Sequence, residues 1–378
     1  MARELRSRYL SKAIHDDLAE KMVFLSGPRQ VGKTTLALRL IGVADARHPA
    51  YLSWDDVRTR SRIRSAEMPP GEPRIILDEI HKYARWRGLV KGLWDRREPG
   101  QSFLVTGSAR LEIYRRGGDS LQGRYHPYRL HPVSLPEAGG GRDVLDDLLR
   151  FGGFPEPFCR GSERHWRRWQ RERLDRVVRD DVRDLERVRE ISLIELLIEA
   201  LPPRVGSPLS VKSLREDLEV AHDTAERWLS ILENLYVCFR IAPYGAPRIR
   251  AVKKERKLYL WDWSMVDNPG TRFENLVASH LLKLCHYLED TEGYRMELRF
   301  LRDTDGREVD FVVLRDRKPQ FAVEVKTGER EVSRAVRYFK ERLRVPVWYQ
   351  VHLGSTDVVV DGVRRLPFDR LCEELRIP

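Results

Sequence analysis

Cysteine is scarce in this chain. Cys159, Cys238, Cys285 and Cys372 are 4 among 378 residues, and no two form a CxxC pair. Such spacing argues against a disulfide framework and against a structural zinc site. Long apolar runs are missing too: none approaches the ~20 residues that a bilayer-spanning helix requires. The opening stretch "MARELRSRYLSKAIHDDL" lacks the apolar centre of a secretory signal. No internal repeat or low-complexity tail is visible. The expectation from these absences is a soluble chain in a reducing, cytoplasmic setting with no membrane partner.

Charge, by contrast, is abundant and unbalanced. Lys and Arg number 69 against 58 Asp and Glu, for a formal net charge of +11. A surplus of this size favours a polyanionic partner, and DNA is the expected one. Apolar residues make up 41% of the chain, enough for the cores of two or three domains.

The fold class expected is α/β. Over residues 1–140 the runs "MVFLSG", "AYLSW", "RIILDE" and "SFLVTGS" read as buried strands separated by helical patterns, the signature of a parallel sheet. Residues 141–205 read as a helical lid and linker whose charges alternate in sign, a solvated face. Over residues 206–262 two short helical patterns lead into the strand "YVCFRI", the order of a winged helix. Residues 263–378 hold a helix, strands and another helix, a second α/β unit.

"GPRQVGKTT" matches GxxxxGK[ST] between an apolar strand and a helical pattern. The cradle is Gly27, Pro28, Arg29, Gln30, Val31, Gly32, Lys33, Thr34 and Thr35, whose backbone N–H groups and helix N-terminus suit a polyphosphate. Lys33 would reach the terminal phosphates and Thr34 would hold Mg²⁺. Downstream, "RIILDEI" ends a strand in Asp78 and Glu79. Asp78 would complete the Mg²⁺ shell, and Glu79 would act as general base toward water. "FLVTGSAR" puts Thr106 and Ser108 at the end of another strand, where Ser108 could sense phosphate. "LQGRYHPYRLHP" is read as a loop carrying Arg124 and Arg129, and Arg124 is the candidate to enter a neighbouring subunit's site.

Two further patterns concern the second half. "RIRAVKKERKLYL" is the densest basic stretch, and Arg248, Arg250, Lys253, Lys254, Arg256 and Lys257 are expected to contact DNA phosphates from a hairpin. "REVDFVVLRDRKPQFAVEVKTG" reads as two apolar strands carrying Asp310, Glu324 and Lys326. Restriction-type nucleases use an acid on one strand and ExK on the next to hold Mg²⁺ and activate water. Glu324 and Lys326, two apart, share one face of their strand, and Glu274 on an upstream helix would supply a further acid. The plain alternative is a wet sheet face. Against it stand Val309, Phe311, Val312, Phe321, Val323 and Val325, which make both strands apolar on both sides.

Taken together, "GPRQVGKTT", "ILDEIHK", "TGSA" and "LQGRYHPYRLHPVSLPE" resemble the AAA+ superfamily of P-loop ATPases. "RFGGFPE", "KLYLWDWSMVDN" and "REVDFVV…FAVEVK" resemble its prokaryotic subgroup fused to a C-terminal winged-helix and PD-(D/E)XK nuclease-like region of unknown function. The resemblance covers nearly the whole chain. It implies ATP and Mg²⁺ as cofactors and a homo-oligomer, with a hexamer expected. His81 departs from it, standing where that group often has glutamine, and is read as a neutral residue at the surface or behind the site. The leading functional expectation is an ATP-driven DNA motor or remodeller of helicase type. The alternatives are an ATP-gated Mg²⁺-dependent nuclease and a nucleotide-switched scaffold with no DNA role.

Overall fold

Continuous apolar runs become strands buried on both faces when helices cover each side of a parallel sheet, and the N-terminal third is built this way. The computed structural model describes residues 5, 7–108, 121–182, 191–245 and 255–378. Its first sheet contains β1 (Met22–Ser26), β2 (Tyr51–Ser53), β3 (Arg74–Asp78), β4 (Ser102–Gly107) and β5 (Tyr125–Arg129). They run parallel in the order β2-β3-β4-β1-β5. Between them lie α1 (Ser11–Asp17, before β1), α2 (Lys33–Leu40), α3 (Val57–Arg64) and α4 (Trp86–Asp95). The strand period of two divides the apolar residues between the faces. Val23, Leu25, Ile76 and Leu104 share a core with Ile14 of α1 and Leu36 of α2. Phe24, Ile75, Leu77, Phe103 and Val105 share the opposite core with Trp86 and Val90 of α4.

The segment "YHPYR", read as loop, is in fact the edge strand β5. Its mixed polarity hides it, but pairing with β1 on one side only leaves the other side free to accept polar residues and Pro127.

A helical region follows: α5 (Arg142–Phe151), α6 (Pro155–Arg160), α7 (Glu163–Arg176), which continues into a π-helical turn at Val177–Val182, and α8 (Ile191–Ala200). Then come α9 (Val211–Asp217), α10 (His222–Asn234), β6 (Cys238–Pro243) and β7 (Lys257–Leu260). The 24-residue α11 (Pro269–Glu292) precedes β8 (Met296–Arg302), β9 (Glu308–Arg315) and β10 (Lys318–Val325). The chain ends through α12 (Arg334–Arg342), β11 (Val347–His352), β12 (Val358–Val360), β13 (Val363–Pro367) and α13 (Phe368–Glu374). The second sheet has the order β12-β13-β11-β10-β9-β8-β6-β7.

The strands β6 and β7, which follow the helix pair α9–α10, thus form the edge of the C-terminal sheet. Trp228 of α10, Phe273 and Leu276 of α11, and Phe311 and Val323 of the sheet belong to one continuous core. The opposite face of the sheet packs Val312, Ala322 and Trp348 against Val336 and Phe339 of α12. Among the described residues no helix is long and apolar enough to cross a membrane.

Helix α11 is the shared element of the two halves. Its C-terminal half faces the first sheet, where Asp290 and Glu289 bind the Arg129 guanidinium at 2.6 and 2.7 Å. Lys283 donates to Ser134 at 2.9 Å and pairs with Glu137. Its N-terminal half faces the second sheet. There the fully buried amide of Asn275 accepts from the Leu260 N–H at 2.9 Å and donates to the Leu260 carbonyl at 2.8 Å. Replacing Asn275 by Ala removes both partners in a dry core. The expected outcome is a loss of about 2–4 kcal/mol in unfolding free energy, measured by chemical denaturation of the full chain.

Candidate functional site

The phosphate loop leaves the C-terminal end of β1 and enters α2 through Gly32, whose φ of 99° is left-handed. Gly27 has φ 154°, and a Cβ there would lie 2.4 Å from the Leu130 carbonyl oxygen, so only glycine lets the loop start this close to the chain leaving β5. The ammonium of Lys33 turns back over the loop and donates to the carbonyls of Gly27 and Pro28 at 2.9 and 2.8 Å. Loop and lysine thus meet at the N-terminus of α2, where backbone N–H groups favour an anion.

The acids predicted to serve this loop arrive from β3, two strands away. Asp78 is buried and its carboxylate accepts from Thr34 at 3.2 Å and from the hydroxyls of Tyr51 and Thr106. Thr34 and Asp78 are therefore adjacent, as a shared Mg²⁺ shell requires, and the donor set fits that ion. Glu79 follows with φ 54°, a left-handed conformation that costs a non-glycine residue energy. Its carboxylate accepts from Ser108 at 3.2 Å and lies 3.7 Å from His81 and 3.9 Å from Lys82. Burial pushes the Glu79 carboxyl above its ordinary value, with Lys33 opposing. His81 is itself buried, and burial together with Lys82 and Lys33 pulls it down to about 4, so it stays neutral.

Parallel register settles what each arginine can reach. Arg129 pairs with Ser26 at the phosphate-loop end of the sheet, but Asp290 and Glu289 hold it. Arg124 adjoins Met22 at the opposite end, is one-third exposed, and donates to Asp95 at 3.1 Å. It therefore lies away from the loop of its own chain.

Two contributors were not foreseen. Tyr51 on β2 reaches Asp78. Arg8 donates to the Val31 carbonyl inside the phosphate loop at 2.7 Å, to the His131 carbonyl at 2.5 Å, and to Glu137 at 3.0 Å. Nothing near Arg8 in sequence signals this, because its partners lie 23, 123 and 129 residues away.

The second cluster gathers Glu274 of α11, Asp310 of β9, and Glu324 and Lys326 of the "FAVEVK" segment. Glu324 is buried and its Oε1 is 2.6 Å from Lys326 Nζ, while its Oε2 has no hydrogen-bond partner. Asp310 Oδ2 accepts from the Val325 N–H at 2.8 Å. Lys257 needs correction as a DNA contact: its side chain is 0% exposed. Its ammonium lies 3.2 Å from Glu274 and 3.5 Å from Asp310 and also pairs with Glu308. The physical reason is that Lys257 opens β7, a strand whose residues are all buried. Of the other expected DNA contacts, Arg256 is exposed, while Arg248, Arg250, Lys253 and Lys254 lie outside the described residues. Among the described residues no group of three or more His, Cys, Asp or Glu is arranged to hold a metal ion.

Burial and then Asp310 push the Glu324 carboxyl up to about 8 and the Glu274 carboxyl up to about 7. A folded-state carboxyl raised in this way favours the native state below the unfolded pKa and loses that contribution as pH climbs through the folded value. Unfolding free energy should therefore fall between about pH 5 and about pH 8, and Glu324→Gln should flatten part of that fall in denaturant melts across the range.

Residues 19–139 match the family model described as an AAA domain. Residues 142–268 match a domain of unknown function, DUF8612, and residues 269–372 match another, DUF4143. The chain is 26% identical over 263 residues to the uncharacterized protein Rv2008c of Mycobacterium tuberculosis, covering 68% of this chain and 57% of that protein. It is 22% identical over 312 residues to the uncharacterized protein MJ1544 of Methanocaldococcus jannaschii, covering 72% of this chain and 70% of that protein. The chain thus spans little more than half the length of the mycobacterial relatives it matches. Among solved structures, the RuvB Holliday junction branch migration motor of Thermotoga maritima aligns at 18% identity and a TM-score of 0.30, over 61% of this chain and 87% of that one. The AAA-domain match over residues 19–139 thus contains the phosphate loop together with Asp78, Glu79 and Ser108.

Proposed function

We propose that this chain hydrolyses ATP and couples the reaction to DNA as an oligomeric motor or remodeller. The observation that carries the reading is the convergence of Lys33, Thr34, Asp78, Glu79 and Ser108 at one end of the parallel sheet. Backbone N–H groups of the loop and Lys33 would hold the β- and γ-phosphates, with Lys33 exchanging two carbonyl partners for phosphate oxygens. Thr34 and Asp78 would hold Mg²⁺, which supplies charge neutralisation on the phosphates. Glu79 orients and deprotonates water. Its burial raises its basicity, and Ser108 fixes its direction. Tyr51 and Thr106 hold Asp78 in place.

Assembly is supported by the position of Arg124. Lying at the opposite sheet end from its own loop, it would serve a neighbour's site rather than its own, where a guanidinium would stabilise charge on the transferring phosphoryl group. A DNA partner is supported by the net charge of +11 and by the basic run that ends at exposed Arg256.

Three outcomes are expected in steady-state turnover and nucleotide-binding assays. Lys33→Ala loses binding and turnover together. Glu79→Gln keeps ATP bound while turnover falls by about 10²-fold or more, and unchanged turnover in that variant sinks the assignment of Glu79 as base. Arg124→Ala keeps binding and loses about 10³-fold in turnover, restored in part when it is mixed with Lys33→Ala chains. For the DNA partner, turnover is expected to rise with DNA and the stimulation to weaken as salt increases. Turnover indifferent to single-stranded, duplex and branched DNA would leave only a nucleotide switch.

A further inference from the structure

The restriction-type pattern in "REVDFVV…FAVEVK" implies a divalent metal held between Asp310 and Glu324. The residues actually gathered there do not suit one. We infer that the ammonium of Lys257, rather than a divalent metal ion, is the cation around which this carboxylate cluster is built.

Three observations carry this. The first is position: Lys257 Nζ stands among Glu274, Glu308 and Asp310, at 3.2 Å from the first and 3.5 Å from the last. Glu274 and Asp310 are two of the three carboxylates the metal reading needs, and a second cation beside an ammonium at this range meets direct repulsion in a poorly hydrated interior. The second is the commitment of the acid oxygens. Asp310 gives Oδ1 to Lys257 and Oδ2 to the Val325 N–H, and Glu274 Oε1 also accepts from the Tyr259 hydroxyl at 2.7 Å. Glu324 gives Oε1 to Lys326 and keeps Oε2 without a hydrogen-bond partner, so a metal bridging Glu324 and Asp310 would have to share oxygens already held by Lys326 and Lys257.

The third observation is anchoring. The Lys257 backbone pairs with Ile241 of β6 and bridges to Pro208, and its ammonium lies 5.6 Å from the centre of the Phe300 ring. Its removal from the cluster would carry a charged head past apolar neighbours in a strand buried throughout. The cluster therefore acts as an ionic joint binding β7 to α11 and β9. Metal-ion cutting of DNA is not what this geometry serves.

The test is a Mn²⁺ titration of the full-length chain, with free Mn²⁺ read by electron paramagnetic resonance. Wild type and Asp310→Asn are compared first, and ions held near Asp78 count equally in both. The expected result is the same Mn²⁺ binding by the two chains. In Lys257→Met, about one further Mn²⁺ is expected to bind at least about tenfold more tightly than any Asp310-dependent binding in wild type. That gain should vanish in Lys257→Met combined with Asp310→Asn. Mn²⁺ binding by wild type that drops in Asp310→Asn overturns the inference, and this arm stands even if Lys257→Met fails to fold. A folded Lys257→Met chain with no added Mn²⁺ overturns it as well.

Discussion

The buried ionic chain Arg8–Glu137–Lys283 holds the phosphate loop in register with the rest of the molecule. All three side chains are nearly inaccessible, at 6%, 5% and 2% exposure. Burial opposes the Glu137 charge, but Arg8 and Lys283 outweigh it and bring the carboxyl to about 2. Lys283 pays the opposite cost, drawn down to about 8 by burial. An arrangement like this adds little net stability compared with apolar packing, but losing one member leaves an uncompensated charge, at a cost of about 3–5 kcal/mol. Its value is geometric. One end grips the Val31 carbonyl of the loop and the other sits on α11, so the loop and the long helix are fixed relative to each other.

Helix α11 then serves two sheets at once. From Glu274 to Lys283 is about 14 Å along the axis at 1.5 Å per residue. Within that span it passes from the Lys257 cluster, through Asn275 and its hold on Leu260, to the ionic chain beneath the phosphate loop. Two further links run alongside it: Asp290 to Arg129, and the hydroxyl of Tyr236 to Ser26 at the end of β1, 2.9 Å apart. Each link ties the phosphate-loop end of the first sheet to the C-terminal body. A displacement of the loop, as the proposed nucleotide exchange would cause, therefore meets the second half through defined contacts rather than through a flexible tether.

The phosphate loop and the acids beside it were largely legible in the sequence because their pattern is local. Gly27, Gly32, Lys33 and Thr34 lie within one loop and the helical turn it enters, and Asp78 and Glu79 end an apolar run whose burial follows from its composition. The strand pair around Asp310 and Glu324 was legible for the same reason. Lys257 was not. A lysine in the run "VKKERK" reads as solvated, and only the burial of β7 and the arrival of Glu274, Glu308 and Asp310 from 17 to 53 residues away turn it inward. β5 escaped notice because an edge strand with one paired side need not be apolar.

The sequence by itself determined the phosphate cradle, the acids that face it, and the buried strands, since glycine conformation and apolar periodicity act over a few residues. Only the tertiary structure decided which charges are partners. Ion pairing in a dry interior depends on distance through space, and that distance brings Arg8 to Val31, Arg129 to Asp290, and Lys257 to the carboxylates that would otherwise have read as a metal site.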